Sequence, residues 1–267
     1  MLISLTFQKI CYLILSHICK GPLKENFKKK YENLQFLQNK AFNESYFVIG
    51  DSHTDIFHRN KMDQKMIITG RWKIPARTIF FTKSEHFVCY HMGPVTAYNT
   101  NNPLATIPSI KKIKFLIKHG FLPEGCPIIC VFGEIDCRVH IQKQSEKQHR
   151  PIEEIIDDVL KNYEALLLML KNKGYHVIVY GPIPSQSDKV EIDPLFPRYG
   201  TEIERNKITK VFNQKLEILC KKDNLEFKTL FYTLLNDDMT TKDEYLVDHV
   251  HLRAESFELV EKLFFSK

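Results

Sequence analysis

The sequence contains no Cys-x-x-Cys pair, no basic run interleaved with aromatics, no internal repeat and no low-complexity linker. Each absence removes a class. The seven cysteines (Cys11, Cys19, Cys89, Cys126, Cys130, Cys137 and Cys220) are odd in number, and several lie in apolar runs. They read as reduced, mostly buried thiols of a cytoplasmic protein rather than a disulfide framework. No Cys/His cluster has zinc spacing, so neither a metal nor any other cofactor is expected. The formal charge of +6 comes from scattered lysines, with Lys28-Lys29-Lys30 the one tight run. That pattern describes solvated helix faces rather than a nucleic-acid footprint. Residues 10–16 are apolar but far short of the roughly 20 residues a membrane span needs. Gln8 and Lys9 precede them, His17 and Lys20 follow, and no convincing small-x-small cleavage site comes after. They read as an amphipathic helix within a lysine-rich helical extension over residues 1–45.

What remains is an ordinary globular composition, 43% hydrophobic and 26% charged, over 267 residues. That suits one large α/β domain, placed here at residues 46–267. Strand patterns at 46–49, 127–133, 175–180 and 225–230 alternate with helical patterns at 107–119, 151–172, 201–222 and 254–265. A further strand is expected within 77–81 or 85–91. Residues 56–75 read as loop with a short helix, 138–150 as polar loop, 188–199 as an excursion over the carboxyl edge, and 232–250 as loop. The alternation predicts a three-layer α/β/α sandwich around a parallel five-stranded sheet of flavodoxin-like type.

The first strand runs into Gly50-Asp51-Ser52-His53. A central parallel strand delivers a side chain to its carboxyl end, where open α/β sheets place ligands. Ser52 there is either a nucleophile or the N-cap of the next helix, since both uses favour serine. A serine nucleophile needs a base, and Asp248-His249-Val250-His251 near the other end supplies one. With His251 as base, Asp248 would fix its tautomer; His249 is the spare imidazole.

Gly-Asp-Ser early and Asp-x-x-His late resembles the SGNH, or GDSL-like, hydrolase family. The resemblance covers roughly residues 45–265. It implies an acyl-enzyme on Ser52, with Asp248 and His251 completing a triad. It also implies an oxyanion hole from the Ser52 amide and from Gly93, in Met92-Gly93-Pro94. The family's third block is Gly-x-Asn-Asp, whose asparagine is a further donor. Here Gly133-Glu134-Ile135-Asp136-Cys137-Arg138 keeps Gly133 and Asp136 but has Ile135 in place of asparagine. This stretch is similar to a divergent bacterial branch that carries Gly-Glu-Ile-Asp-Cys-Arg, often in a surface-glycan context. Arg138 carries five donors. It either reaches over the site, held by Glu134 or Asp136, or closes a salt bridge that shapes the loop. Gly181-Pro182-Ile183-Pro184 resembles the family's pocket-shaping proline loop.

The expected activity is therefore hydrolysis of an O-acylated, most simply O-acetylated, carbohydrate or small ester. Acyl transfer to a sugar hydroxyl would use the same machine. Two other classes stay open: a retired hydrolase that binds a glycan or protein partner, and a metal-dependent phosphoesterase suggested by Asp51-x-His53 and His249-x-His251. The phosphoesterase lacks its intervening asparagine-histidine ligands.

Overall fold

The computed structural model describes residues 17–18, 20–25, 45–58, 65–69, 74–194, 196–246 and 251–266. Of the expected extension, residues 17–18 and 22–25 are helical; the rest, including the apolar 10–16 segment, lies outside the described residues.

Among the described residues seven strands form one sheet: β1 (Tyr46–Gly50), β2 (Lys65–Ile68), β3 (Thr78–Lys83), β4 (Phe87–His91), β5 (Pro127–Val131), β6 (His176–Tyr180) and β7 (Glu226–Lys228), in the order β2-β3-β4-β1-β5-β6-β7. Strands β4, β1, β5, β6 and β7 are parallel. Counted along the chain, these five run 2-1-3-4-5, the flavodoxin-like order. The expectation of a purely parallel, five-stranded sheet needs one correction. Strands β2 and β3 are added antiparallel at one edge. The turn from β3 to β4 is only three residues long, which allows antiparallel pairing alone. Both candidate stretches for the second strand are thus used, and the 56–75 region contributes β2 rather than loop alone.

Among the described residues five α-helices cover the sheet: α1 (Ser109–Lys118), α2 (Ile141–Gln148), α3 (Ile152–Asn172), α4 (Glu202–Lys222) and α5 (Phe257–Phe265). Alternation along the strands divides the core in two. Phe47, Ile49, Tyr90, Ile128, Cys130 and Val179 pack with α1, α3 and α4 on one face. Val48, Phe87, Ile129, Val131 and Ile178 pack with Ile56, Phe57 and α5 on the other. Helix α4 starts with a capping box, Thr201 accepting from the Glu204 amide while Glu204 accepts from Thr201. Helix α2 corrects the polar-loop expectation. Its one buried residue is Ile141, so no apolar period betrays it, and left-handed His149 (φ 52°) closes it.

Among the described cysteines none is in a disulfide. Cys89, Cys130, Cys137 and Cys220 are buried, and burial pushes their thiols far above the ordinary range. Among the described residues no helix is long and apolar enough to cross a membrane.

Candidate active site

Strand β1 lies between β4 and β5, so everything that follows these three strands gathers at one edge. This is the place where the order of parallel strands reverses, the usual ligand crevice of such sheets. Gly50 is needed there for space rather than for an unusual dihedral. A Cβ on it would stand 2.2 Å from the Val131 carbonyl oxygen and 2.8 Å from Val131 Cβ. The chain then enters a 3₁₀ helix, Ser52–Phe57. Its N-cap is Asp51, whose Oδ1 accepts from the His53 amide at 2.9 Å. The capping role falls to Asp51, leaving the Ser52 hydroxyl for other work.

That hydroxyl lies 2.7 Å from His251 Nε2. With Nε2 as the acceptor tautomer the serine O–H donates to it, the geometry a general base requires. The two residues are 199 positions apart in sequence. The His251 segment is held by an antiparallel bridge, Leu246 to Leu252, and by the Arg253 amide donating to the Tyr245 carbonyl at 2.8 Å. The His251 ring is only 7% exposed. Phe196 meets it edge-on at 5.3 Å between centroids, and the His53 ring lies 5.2 Å away on a tilt. Asp248, the expected orienting carboxylate, and His249 lie outside the described residues.

His53 is the residue that sequence reasoning undervalued. Its Nδ1 is 3.0 Å from Asp51 Oδ1 and its Nε2 is 3.8 Å from Glu134 Oε2. Burial works against a charged ring, but the Asp51 and Glu134 carboxylates outweigh it and raise His53 from 6.5 to about 9. An imidazolium therefore stands beside the Ser52–His251 pair at neutral pH. The Asp-x-His spacing was visible, but it suggested a metal motif rather than an ion pair. Among the described residues no group of three or more His, Cys, Asp or Glu side chains is placed to hold a metal ion.

The loop after β5 was read as the third block, and here the residues divide. Gly133 has φ 115°, and a Cβ on it would meet Phe212 Cε1 at 2.9 Å and Pro182 Cγ at 3.2 Å. It is a glycine of turn and close packing. Arg138 is 5% exposed; its Nε donates to Glu134 Oε1 at 2.7 Å and its Nη1 to the Pro197 carbonyl. The Tyr199 amide donates to the Arg138 carbonyl at 3.0 Å. The guanidinium thus ties the β5 loop to the segment 196–199, which carries Phe196 against His251. Asp136 does not hold Arg138. Fully buried, it accepts from the Ala97 and Tyr98 amides at 2.6 and 3.3 Å. Burial pushes it up from 3.8 to about 7, with the Asp51 charge adding to the rise and the two amides opposing it.

Gly93 follows β4 two residues beyond His91, the register partner of Gly50. It has φ 93°. The Met92 amide donates to the Gly50 carbonyl at 2.8 Å, which joins this turn to the Ser52 strand. From α1, the buried Lys112 ammonium donates to the Met92 carbonyl and to those of Pro75 and Thr78. Burial lowers Lys112 from 10.5 to about 8. A lysine on the apolar face of α1 gave no signal in the helical period, yet it clamps the turn that presents Gly93.

No family model and no curated protein sequence matches the chain. Solved structures do. A GDSL-like lipase from Bacteroides thetaiotaomicron is 14% identical, with 88% of this chain and 93% of that one covered at a TM-score of 0.53. A protein from Streptococcus pneumonia, assigned as a platelet activating factor, is 17% identical, with 90% and 91% covered at 0.53. A Bacteroides fragilis protein assigned as an acylhydrolase is 14% identical, with 84% and 86% covered at 0.50. The chain has the SGNH/GDSL-like hydrolase fold.

Proposed function

We propose that this protein is a serine ester hydrolase that forms an acyl-enzyme on Ser52 and acts on O-acylated, chiefly O-acetylated, carbohydrate. The observation that carries the reading is the 2.7 Å approach of Ser52 Oγ to His251 Nε2 at the reversal point of the sheet. As Oγ attacks the ester carbonyl carbon, its proton passes to His251 Nε2. The tetrahedral intermediate collapses with loss of the alcohol, which takes that proton. Water then repeats the sequence: His251 accepts its proton, hydroxide adds to the acyl carbon, and the proton returns to Ser52 Oγ as the acid leaves. Asp248 is assigned to orient His251. The amides of Ser52 and Gly93 are assigned to the oxyanion. Ile135 adds no donor, and a donor of this kind is worth roughly 3–4 kcal/mol where one has been removed. Arg138 acts through the loop it holds. Glycan substrates are favoured by the resemblance of Gly133–Arg138 to sequences of surface-glycan context.

The test is hydrolysis of 4-nitrophenyl acetate and of acetylated pyranosides, with and without a serine-directed phosphonate. Turnover that the phosphonate abolishes, with the label recovered on Ser52, is the expected result. Turnover that survives the phosphonate but requires an added divalent metal ion would replace this reading with the phosphoesterase one.

A further inference from the structure

A second concavity lies along the same edge of the sheet, between the turn after β4 and helices α2 and α3. It encloses about 350 Å³, within the range of small-ligand pockets. Those pockets are usually lined mainly by apolar and aromatic groups with a few polar ones. This one is different. Its lining mixes the polar residues Thr96, Tyr98, Asn99, Gln144, Gln148 and Asp158 with the aliphatic Ile141, Ile155 and Val159. The loops that form it follow β4 and β5, the two strands that flank β1 and Ser52. Asp136 joins the two regions, lining the cavity while its carboxylate fixes the Ala97 and Tyr98 amides.

The polar groups are set in advance. Arg150 Nη1 donates to Gln148 Oε1 at 3.1 Å, and Gln148 Nε2 donates to Gln144 Oε1 at 3.0 Å. In this relay Gln144 accepts through its oxygen, which turns its nitrogen toward a ligand. Arg150 is itself anchored by Asp158 at 2.7 Å and Glu154 at 3.1 Å. Across the cavity, Asn99 Nδ2 donates to Thr96 Oγ1 at 2.9 Å. Tyr98 is 49% exposed. No lysine or arginine is among the lining residues; of the two carboxyl groups there, Asp158 is paired with Arg150 and Asp136 is buried on the Ala97 and Tyr98 amides. His140, also in the lining, is held below its usual value by desolvation and by the Lys143 and Arg138 charges, so it adds no cation at neutral pH.

We infer that this cavity is a subsite for a neutral pyranosyl unit, the part of the substrate that carries or adjoins the ester cleaved at Ser52. The inference rests on the esterase reading for its link to Ser52, but the cavity's ligand class is argued from its own lining. Planar amides with fixed ends match the adjacent hydroxyls of a sugar, each able to donate and accept. An exposed tyrosine supplies a flat apolar face for the sugar's C–H groups with a polar tip beside it. With no lysine or arginine in the lining and Arg150 already paired with Asp158 and Glu154, no cation is set to receive a phosphate, a nucleotide or a carboxylated sugar.

The test uses full-length protein and methyl pyranosides of the gluco, galacto, manno and xylo series, followed by ligand-observed NMR. Galacturonate and inorganic phosphate serve as anionic probes. At least one neutral pyranoside should bind, and Gln144→Ala and Tyr98→Ala should each weaken it about tenfold, the worth of a hydrogen bond or stacking contact. The Gln144 side chain is partly exposed on α2 and the Tyr98 side chain half exposed, so both variants should fold; circular dichroism checks it. With 4-nitrophenyl acetate, which has no sugar, both variants should match the wild type, while KM for the acetylated form of the bound pyranoside rises. Ester turnover with no pyranoside binding, or with variants indistinguishable from wild type on the sugar ester, would overturn the subsite and leave the esterase standing. Pyranoside binding without any ester turnover would uphold the sugar cavity and overturn both the esterase and the link to Ser52. Preferential binding of galacturonate or phosphate would overturn the ligand class.

Discussion

Glu134 Oε2 lies 3.8 Å from His53 Nε2 while Glu134 Oε1 lies 2.7 Å from Arg138 Nε, so one buried carboxylate balances two buried cations behind Ser52. His53 also faces Asp51, and it keeps its proton up to about 9 against an ordinary 6.5. A base whose folded pKa is raised holds its proton more tightly when folded. Its contribution to stability is complete below about 6.5 and is lost as pH rises through 9. Urea unfolding between pH 6 and 10 should show wild-type stability falling across this window, with a shallower fall in His53→Gln. Parallel curves for the two proteins would mean that His53 is not held as an imidazolium.

Arg138 offers a sharper contrast. With its Nε on Glu134 and Nη1 on the Pro197 carbonyl, it faces protein rather than substrate. Arg138→Ala removes the nearer of the two cations on buried Glu134, so it should cost about 3–5 kcal/mol of stability. Arg138→Ala combined with Glu134→Gln should cost less than the sum of the two single changes. If Arg138→Ala instead left stability intact and only raised KM, the guanidinium would have to be gripping substrate.

Much of this molecule could be read in advance from its sequence. Strands β1, β5 and β6 are continuous apolar runs because both sheet faces are covered, and such runs are hard to miss. Helix α3 begins after Pro151 and its chain passes through Gly174 (φ 86°), punctuation that a sequence displays openly. Ser52 and His251 were legible as residue types at the right ends of the chain, although no local pattern puts them 2.7 Å apart. Strand β2 was hidden because its four residues matter only through pairing with β3. The Glu134–Arg138 pair stood among the alternatives the loop itself offered, but its extension to His53 and Asp51 was hidden because those charges come from a separate loop, and only the fold decides which carboxylate meets which cation. The division of Asp136 from Arg138 is the same lesson within one turn.

Asp136 makes an independent titration experiment possible. Burial raises it from 3.8 to about 7, so the folded state favours its protonated form. Its contribution is complete below about 3.8 and is lost as pH rises through 7. Thermal unfolding of Asp136→Asn should therefore show a flatter pH dependence between pH 4 and 7 than the wild type. The midpoint itself should fall, because an amide replaces one of the two acceptors that hold the Ala97 and Tyr98 amides. An unchanged slope would show that Asp136 ionises normally.

Ser52 and His251 should behave as one unit. Ser52→Ala and His251→Ala should each remove most turnover of 4-nitrophenyl acetate, and the double variant should be little slower than either. Losses that multiply would mean the two residues act in separate steps. Under the proposed mechanism, in which Asp248 orients the base without transferring the proton, Asp248→Asn should retain more activity than His251→Ala.

Intact-mass spectrometry during turnover asks whether Ser52 becomes covalently acylated. Protein quenched in acid while hydrolysing an acetylated pyranoside should carry one added acetyl group, mapped by peptide sequencing to Ser52 and absent from Ser52→Ala. Turnover with no acyl-protein at any quench time, and with Ser52→Ala as active as the wild type, would contradict a serine nucleophile at this site.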